Sequence, residues 1–164
     1  MSWLYKSQRV GLNGKIFTMW KIKTLRDGSD VSPFASASVY LPLGRFLRKT
    51  KLDELPGLFS VLQGNLALVG YRPEEPRTWE LYPPAVKKLL SKQKPGLISL
   101  CSLHFFDEER ILQLSHDPHR EYYEKIFPIK MALRAFYFEN KCLPLKAALL
   151  WIVCKKVFTS LFKR

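Results

Sequence analysis

Two adjacent carboxylates, Asp53 and Glu54, directly follow a cluster of cations in this sequence. The cluster comprises Arg45, Arg48, Lys49 and Lys51. Neighbouring cations lower the pKa of a carboxylate and keep it ionised, which suits a nucleophile or a ligand of a metal ion. The same cations can bind the phosphate groups of a substrate. The pair therefore predicts chemistry on a phosphorylated substrate.

The apolar residues around the pair predict its orientation. They recur with helical spacing, and we expect them to face the core: Leu52, Leu55, Leu58, Phe59 and Leu62. Asp53 and Glu54 would then project away from the core into the cationic surroundings. The alternative interpretation is structural: Asp53 caps a helix, Pro56 occupies its first turn, and the cations form a solvated face.

Arg72 is a second candidate for chemistry. It ends a short apolar run that begins at Asn65 and is bounded by glycines, which predicts an extended segment. A guanidinium held in place can clamp a diphosphate through two parallel hydrogen bonds. The alternative is an exposed turn in which Arg72 forms local ion pairs with Glu74 and Glu75.

The elements that must position these groups are mainly helical. We expect, in chain order, a β-hairpin over 6–24 around Asn13-Gly14, a loop over 26–42, two helical pieces over 43–62 that meet near Asp53, and helices over 83–92, over 107–113 and from 120 onward with a break near Asn140. The fold class is therefore α/β and dominated by helices.

The last predicted helix, from Leu145 to Phe162, has a broad apolar face flanked by lysines. Such a helix either closes the core or lies on a membrane surface. The longest uncharged stretch, Leu55 to Tyr71, is interrupted by proline and glycine, so we expect no transmembrane helix. Because residues 1–10 also lack the apolar centre of a signal peptide, we expect the chain on the cytoplasmic side.

Composition limits both the domain count and the partners. The 164 residues are 47% hydrophobic, which predicts a single domain over 1–164. The net charge of +13 favours an anionic partner: nucleic acid, anionic lipid or a phosphorylated substrate. No helix-turn-helix, zinc-finger or aromatic ribonucleoprotein motif is present, so we expect no nucleic-acid partner. The three cysteines predict neither a disulfide framework nor a zinc site.

This sequence resembles the catalytic domain of the bacterial sugar transferases, the monotopic phosphoglycosyl transferases. The resemblance lies in the order of several motifs and covers nearly the whole chain. The motifs are Gly14-Lys15-Ile16-Phe17, Lys21-Ile22-Lys23-Thr24, Gly44-Arg45-Phe46-Leu47-Arg48, Leu52-Asp53-Glu54-Leu55-Pro56, residues 64–73 ending in Arg72-Pro73, and Lys94-Pro95-Gly96. Several motifs in the same order as in the family identify it far more specifically than any one motif alone.

The resemblance implies transfer of a sugar-1-phosphate from a nucleoside-diphosphate sugar, with uridine as the expected nucleoside, to a polyprenyl phosphate. This reaction begins the synthesis of an exopolysaccharide, capsule or glycan at the cytoplasmic face of the bacterial inner membrane. Asp53 matches the nucleophile and a Mg²⁺ ligand, and Glu54 its catalytic neighbour. The phosphate-binding residues expected are Arg72, Arg48, Arg45 and Lys23. The resemblance also implies amphipathic helices that lie on the lipid surface.

Departures from the family pattern support an alternative. The family has an apolar N-terminal re-entrant segment, whereas this chain begins just before the hairpin. Either the true start lies upstream, the anchor was lost, or the chain is a fragment. Asn65 stands in place of an acidic residue, and Phe106 stands where the family has an arginine, in a stretch from Leu97 that lacks the family's polar residues. The alternative is a catalytically impaired, membrane-associated scaffold with the same fold.

Overall fold

The computed structural model describes residues 3–26 and 39–162, and most of the predicted loop over 26–42 lies outside these residues. The described chain begins with an antiparallel hairpin of β1 (Leu4–Val10) and β2 (Ile16–Ile22). The connecting turn, Leu12–Gly14, needs positive φ at Asn13 (56°) and Gly14 (74°), which this dipeptide adopts readily. The predicted hairpin is confirmed.

The two carboxylates lie where one helix ends and another begins. Helix α1 (Gly44–Thr50) stops at Lys51, whose φ of 59° breaks the helical path. A 3₁₀ helix, Leu52–Gly57, follows and runs into α2 (Leu58–Leu62). We call Leu52–Gly57 the dyad helix because it carries Asp53 and Glu54. The prediction of two helical pieces that meet near Asp53 is confirmed.

A second, parallel sheet joins distant parts of the chain. It pairs β3 (Ala67–Val69) with β4 (Gly96–Ile98), and the segment between them forms α3 (Pro76–Glu80) and α4 (Pro84–Ser91). A Cβ on Gly70 would come within 2.7 Å of the backbone of Gly96, so the strands approach this closely only with glycine here. The extended segment near Arg72 is thus confirmed, whereas β4 was not predicted.

Helices make up the remainder of the described chain. They are α5 (Leu100–His104), α6 (Glu108–Gln113), α7 (Pro118–Arg120), a π-helix (Glu121–Ile126), α8 (Phe127–Asn140) and α9 (Leu143–Phe162). Pro128 lies in the first turn of α8, where its missing N–H interrupts the regular hydrogen bonding just after the π-helix. The helix-dominated α/β class with an N-terminal hairpin is confirmed, and so is the break near Asn140.

The core has two main clusters, and α9 closes one of them. Tyr71, Trp79, Tyr82, Leu90 and Val10 form the first cluster. Val69, Leu103, Tyr137 and Leu149 form the second, against which Leu145 and Val153 pack. None of the helices in the part of the chain that the structure describes is long and apolar enough to cross a membrane.

The predicted core face around the dyad helix is wrong. Leu55, Leu58, Phe59 and Leu62 are exposed, whereas Asp53, Gly57 and Ser60 are buried. Packing against Met19 of β2 and Leu97 of β4 explains this reversal, because a Cβ on Gly57 would come within 2.8 Å of both side chains. The side of the helix with small residues therefore faces inward, and Asp53 is buried with it.

Candidate active site

Glu54 binds two cations that come from different segments. Its Oε1 accepts a hydrogen bond from Lys21 Nζ at 2.8 Å and another from Arg72 Nη2 at 3.1 Å. Lys21 belongs to β2, and Arg72 follows β3. Burial alone would raise the pKa of Glu54, but the charges of Lys21 and Arg72 hold it well below its usual range. Glu54 is therefore an ionised carboxylate whose charge is already compensated.

Asp53 has a different environment from its neighbour. Its Oδ1 is buried and has no hydrogen-bond partner among the described residues. Burial, followed by the charge of Glu54, raises the pKa of Asp53, and the opposing effects of nearby cations do not cancel this. The expectation that the cations hold the pKa below its ordinary value is right for Glu54 and wrong for Asp53, where burial and the charge of Glu54 outweigh them. The alternative that Asp53 is an N-cap is also wrong, since the dyad helix begins at Leu52 and no side chain caps it.

A second hydrogen bond fixes Arg72 on its other side. Arg72 Nη1 donates to Ser102 Oγ at 2.9 Å, and Ser102 Oγ lies 2.8 Å from Ser99 Oγ. Ser99 caps α5 by accepting a hydrogen bond from the Ser102 backbone N–H at 3.0 Å. The guanidinium is thus held between the dyad helix and α5. The charge of Glu54 raises the pKa of Arg72, which keeps the guanidinium positive.

The alternative of an exposed turn at Arg72 is wrong. The side chain of Arg72 is 30% exposed, and it pairs across the site with Glu54 instead of locally. Glu74 forms a buried ion pair with Arg134, and Glu75 pairs with Arg9 at 2.9 Å. The two acidic residues after Arg72 therefore attach this segment to α8 and to the hairpin.

Among the other predicted phosphate ligands, the structure links Arg48 to the carboxylates. The charge of Arg48 acts on both Asp53 and Glu54, and its guanidinium lies 5.7 Å from the ring centroid of Tyr40. Arg45 is exposed and lies 5.8 Å from the same centroid. Lys23 lies beyond the end of β2, and the hydrogen bond from the hairpin to Glu54 comes from Lys21. Phosphate binding by Arg72, Arg48, Arg45 and Lys23 stays a prediction.

Sequence reasoning missed Lys21 and Ser102, and it identified Lys51 only as a member of the cationic cluster beside the two carboxylates. The alternation of the hairpin puts Lys21 on the same side of β2 as Met19, which packs against the dyad helix, so this lysine could have been found. The Ser99–Ser102 spacing is an N-cap signal inside a segment that was described only as lacking the family's polar residues. The sequence placed Lys51 beside the carboxylates but did not predict its contact with Phe106, because that contact depends on the left-handed break after α1.

The site suits a divalent cation that the substrate helps to bind. No group of three His, Cys, Asp or Glu side chains that could hold a metal exists within residues 3–26 and 39–162. Mg²⁺ in phosphoryl-transfer sites needs only one or two carboxylates when substrate phosphates complete the coordination. The unpartnered Oδ1 of Asp53 is an oxygen of this kind. The residues present therefore fit the expected Mg²⁺.

The chain is similar in sequence to a known protein family and to several curated proteins. The family model described as bacterial sugar transferase matches residues 1–160. An undecaprenyl-phosphate galactose phosphotransferase of Salmonella typhimurium is 36% identical over 116 residues, which cover 59% of this chain and 24% of that protein. A UDP-glucose:undecaprenyl-phosphate glucose-1-phosphate transferase of Klebsiella pneumoniae is 31% identical over 107 residues, 62% of this chain and 23% of its own length.

A third relative is the undecaprenyl-phosphate glucose phosphotransferase of Komagataeibacter xylinus. It is 38% identical over 80 residues, covering 46% of this chain and 15% of that protein. The aligned part is less than half the length of each of these relatives.

Proposed function

Because this chain belongs to the bacterial sugar transferase family, we propose that it transfers a sugar-1-phosphate from a uridine-diphosphate sugar to a polyprenyl phosphate. The relatives named for this reaction support the proposal. The observation that carries it is the contrast within the dyad. Glu54 is neutralised by Lys21 and Arg72, while the Oδ1 of Asp53 beside it has no partner.

The reaction has two displacements at phosphorus. In the first, a carboxylate oxygen of Asp53 bonds to the β-phosphorus of the donor, and the bond from that phosphorus to the oxygen bridging to the α-phosphate breaks. Uridine monophosphate leaves with the electron pair. In the second, an oxygen of the polyprenyl phosphate attacks the same phosphorus and releases Asp53 as a carboxylate. The product is a polyprenyl diphosphate sugar, and one site serves both substrates in turn.

The environment of Asp53 suits a nucleophile. The Oδ1 of Asp53 is buried and has no hydrogen-bond partner among the described residues, so this oxygen is poorly solvated and loses less solvation when it attacks phosphorus. Its raised pKa makes it a stronger base than an ordinary aspartate, and above that pKa it is ionised. Glu54 holds Lys21 and Arg72 beside Asp53 and so acts as the positioning residue of the dyad.

Cations compensate the charge of the donor diphosphate. Arg72 is fixed by Glu54 and Ser102, and a guanidinium has five N–H donors, which leaves further donors for phosphate oxygens. Arg48 brings a second guanidinium, whose charge acts on both carboxylates, and we expect Arg45 and Lys23 to add further positive charge. Asp53 would hold Mg²⁺ together with the diphosphate, where the ion would offset the charge on the phosphates.

An apolar surface next to the dyad helix supports a membrane-associated site. Leu55, Leu58, Phe59 and Leu62 form this surface, which we call the apolar face; Phe59 is 63% and Leu62 83% exposed. The exposed cations Arg45 and Lys49 of α1 precede it in the chain. Apolar side chains flanked by cations suit a bilayer with anionic headgroups. We place the apolar face against the cytoplasmic leaflet of the inner membrane, where the polyprenyl phosphate is found.

Isotope exchange tests the two-step reaction. The protein is incubated with Mg²⁺, a uridine-diphosphate sugar and labelled uridine monophosphate, without acceptor. A covalent intermediate predicts that label enters the donor in the wild type and not in Asp53→Asn. Lys155→Gln serves as a control, since this exposed lysine lies on α9 outside the site. Exchange that is absent from the wild type, while acceptor-dependent release of uridine monophosphate continues, would contradict a covalent route.

The same assay tests the scaffold alternative. A scaffold predicts neither exchange nor acceptor-dependent release, although the protein would still bind vesicles. The described residues do not favour it, since the Leu97–Phe106 segment retains Ser99 and Ser102, which hold Arg72.

A further inference from the structure

Phe106, between α5 and α6, contacts ammonium groups from two distant segments. Lys51 Nζ lies 5.4 Å and Lys156 Nζ 5.1 Å from the centroid of the ring. Lys51 directly precedes the dyad helix, whereas Lys156 lies in α9. The face of an aromatic ring attracts cations at such distances. Phe106 therefore brings two positive charges together beside the dyad helix.

Lys156 occupies an unusual position in α9. Leu145, Leu149 and Val153 form the stripe that packs on the core, and Lys156 is the next residue on the same face. Its Nζ donates to the Leu103 carbonyl oxygen at 3.1 Å. An ammonium has three N–H donors, and the residue is exposed, so this contact leaves it open to a ligand.

The two lysines differ from the cations that hold Glu54. Lys21 and Arg72 form ion pairs with the carboxylate of Glu54. Lys51 and Lys156 instead contact an aromatic ring, which carries no net charge to neutralise theirs. Lys51 is also close enough for its charge to act on both Asp53 and Glu54. An anion at the edge of Phe106 would therefore meet two ammonium groups that contact an aromatic ring, one of them next to the reacting carboxylate.

We propose that Lys51 and Lys156 bind the phosphate of the lipid-borne acceptor at the edge of Phe106. This inference rests on the proposed function. The position of α9 favours the acceptor over the donor. On the side opposite Lys156, α9 exposes Trp151 (72%) and Phe158 (63%), which suit a lipid surface. A water-soluble donor needs no such element, whereas the acceptor phosphate comes from the lipid surface along which α9 would lie.

Separate assays of the two half-reactions test this subsite. In Lys156→Gln, exchange of labelled uridine monophosphate without acceptor should stay within twofold of the wild type. The KM for a polyprenyl phosphate in mixed micelles should rise about tenfold, as expected for loss of one charged hydrogen bond. Lys155→Gln removes the same charge one residue away, about 100° around the helix, and should change neither value. Phe106→Leu keeps an apolar side chain but loses the cation–π contacts, and should also raise the KM.

Three results would overturn the subsite. Equal weakening of both half-reactions in Lys156→Gln would assign the lysine to the donor, or, with a lower melting temperature, to a structural contact with Leu103. Equal effects of Lys155→Gln and Lys156→Gln would indicate general surface charge. If the wild type shows neither exchange nor acceptor-dependent release of uridine monophosphate, the proposed function fails, and calorimetric titration with a polyprenyl phosphate in micelles tests the subsite alone. An unchanged affinity in Lys156→Gln would then contradict it.

Discussion

Arg72 and Glu54 are joined by a hydrogen bond of 3.1 Å between Nη2 and Oε1, which links the segment after β3 to the dyad helix. Because Glu54 also binds Lys21 of the hairpin, one carboxylate connects three segments that are far apart in sequence. Asp53, the next residue, does not take part in these two bonds. This contrast supports the proposed division of roles, in which Glu54 positions Lys21 and Arg72 and Asp53 is the nucleophile.

This division predicts opposite effects on stability. Glu54→Gln should destabilise the fold by roughly 3 kcal/mol, since Lys21 and Arg72 would keep their buried charges without a carboxylate. Asp53→Asn, the matched control, removes a buried carboxylate that repels Glu54 and should leave stability unchanged or higher. Urea denaturation at neutral pH measures both. A more stable Glu54→Gln than wild type would contradict the positioning role.

The destabilisation should also depend on pH. The pKa of Glu54 in the fold lies below its ordinary value of 4.5, so its stabilising contribution is complete above pH 4.5. It is lost as the pH falls through the lower pKa of the folded state. The gap in unfolding free energy between wild type and Glu54→Gln should therefore narrow in acid.

Exchange of uridine monophosphate should depend on the ionisation of Asp53. Only the carboxylate form is a nucleophile, so the rate should rise with pH through the pKa of Asp53. Burial and the charge of Glu54 place that pKa above the ordinary value of 3.8. In Glu54→Gln the negative charge that repels Asp53 is gone and the cations remain. The midpoint of the curve of exchange rate against pH should therefore move to lower pH. An unchanged midpoint in this variant would show that another group controls the profile.

Ser102 should affect catalysis through Arg72. Ser102→Ala removes the hydrogen bond to Nη1 and leaves the guanidinium held by Glu54 alone. We expect an increase of the donor KM by several-fold, equivalent to about 1–2 kcal/mol, and partial recovery in Ser102→Thr. Ser91→Ala removes an exposed hydroxyl that donates only to Lys88 O and should have no effect. If the donor KM of Ser102→Ala equals that of the wild type, Ser102 has no part in binding the diphosphate.

The apolar face should contribute to membrane binding. The double variant Phe59→Gln and Leu62→Gln should co-sediment less with vesicles containing anionic lipid, because these exposed side chains lose their apolar surface. Leu114→Gln changes a residue that is equally exposed, at the end of α6, and serves as the control. If co-sedimentation falls equally in both variants, or in neither, the apolar face does not contribute specifically to membrane binding.

The sequence was sufficient for the local elements and insufficient for their orientation. Asn13-Gly14 predicted the hairpin because the turn depends on two adjacent residues with positive φ. The spacing of apolar residues around the dyad helix correctly predicted that this segment is helical, but it predicted the wrong side of the helix to be buried. That side is decided by Gly57, which lets Met19 and Leu97 approach, and this contact joins segments remote in sequence.

For the candidate site, the sequence predicted which residues come together but not the environment of each. Asp53, Glu54 and Arg72 were identified from their types and motifs, and the structure brings them together. The raised pKa of Asp53 was not foreseen, because it follows from burial and not from the composition of the neighbouring sequence. Ser102 was missed, and the contact of Lys51 with Phe106 was not foreseen, because both contacts depend on the tertiary fold.

Location of the covalent intermediate tests the central claim most directly. The wild type is incubated with Mg²⁺ and a uridine-diphosphate sugar without acceptor, quenched in acid, digested, and analysed by tandem mass spectrometry. The account predicts a sugar-phosphate adduct on the peptide containing Asp53, with fragment ions that place it on that residue, and its disappearance when a polyprenyl phosphate is added. An adduct on Glu54 or elsewhere, or an adduct that persists in Asp53→Asn, would contradict it.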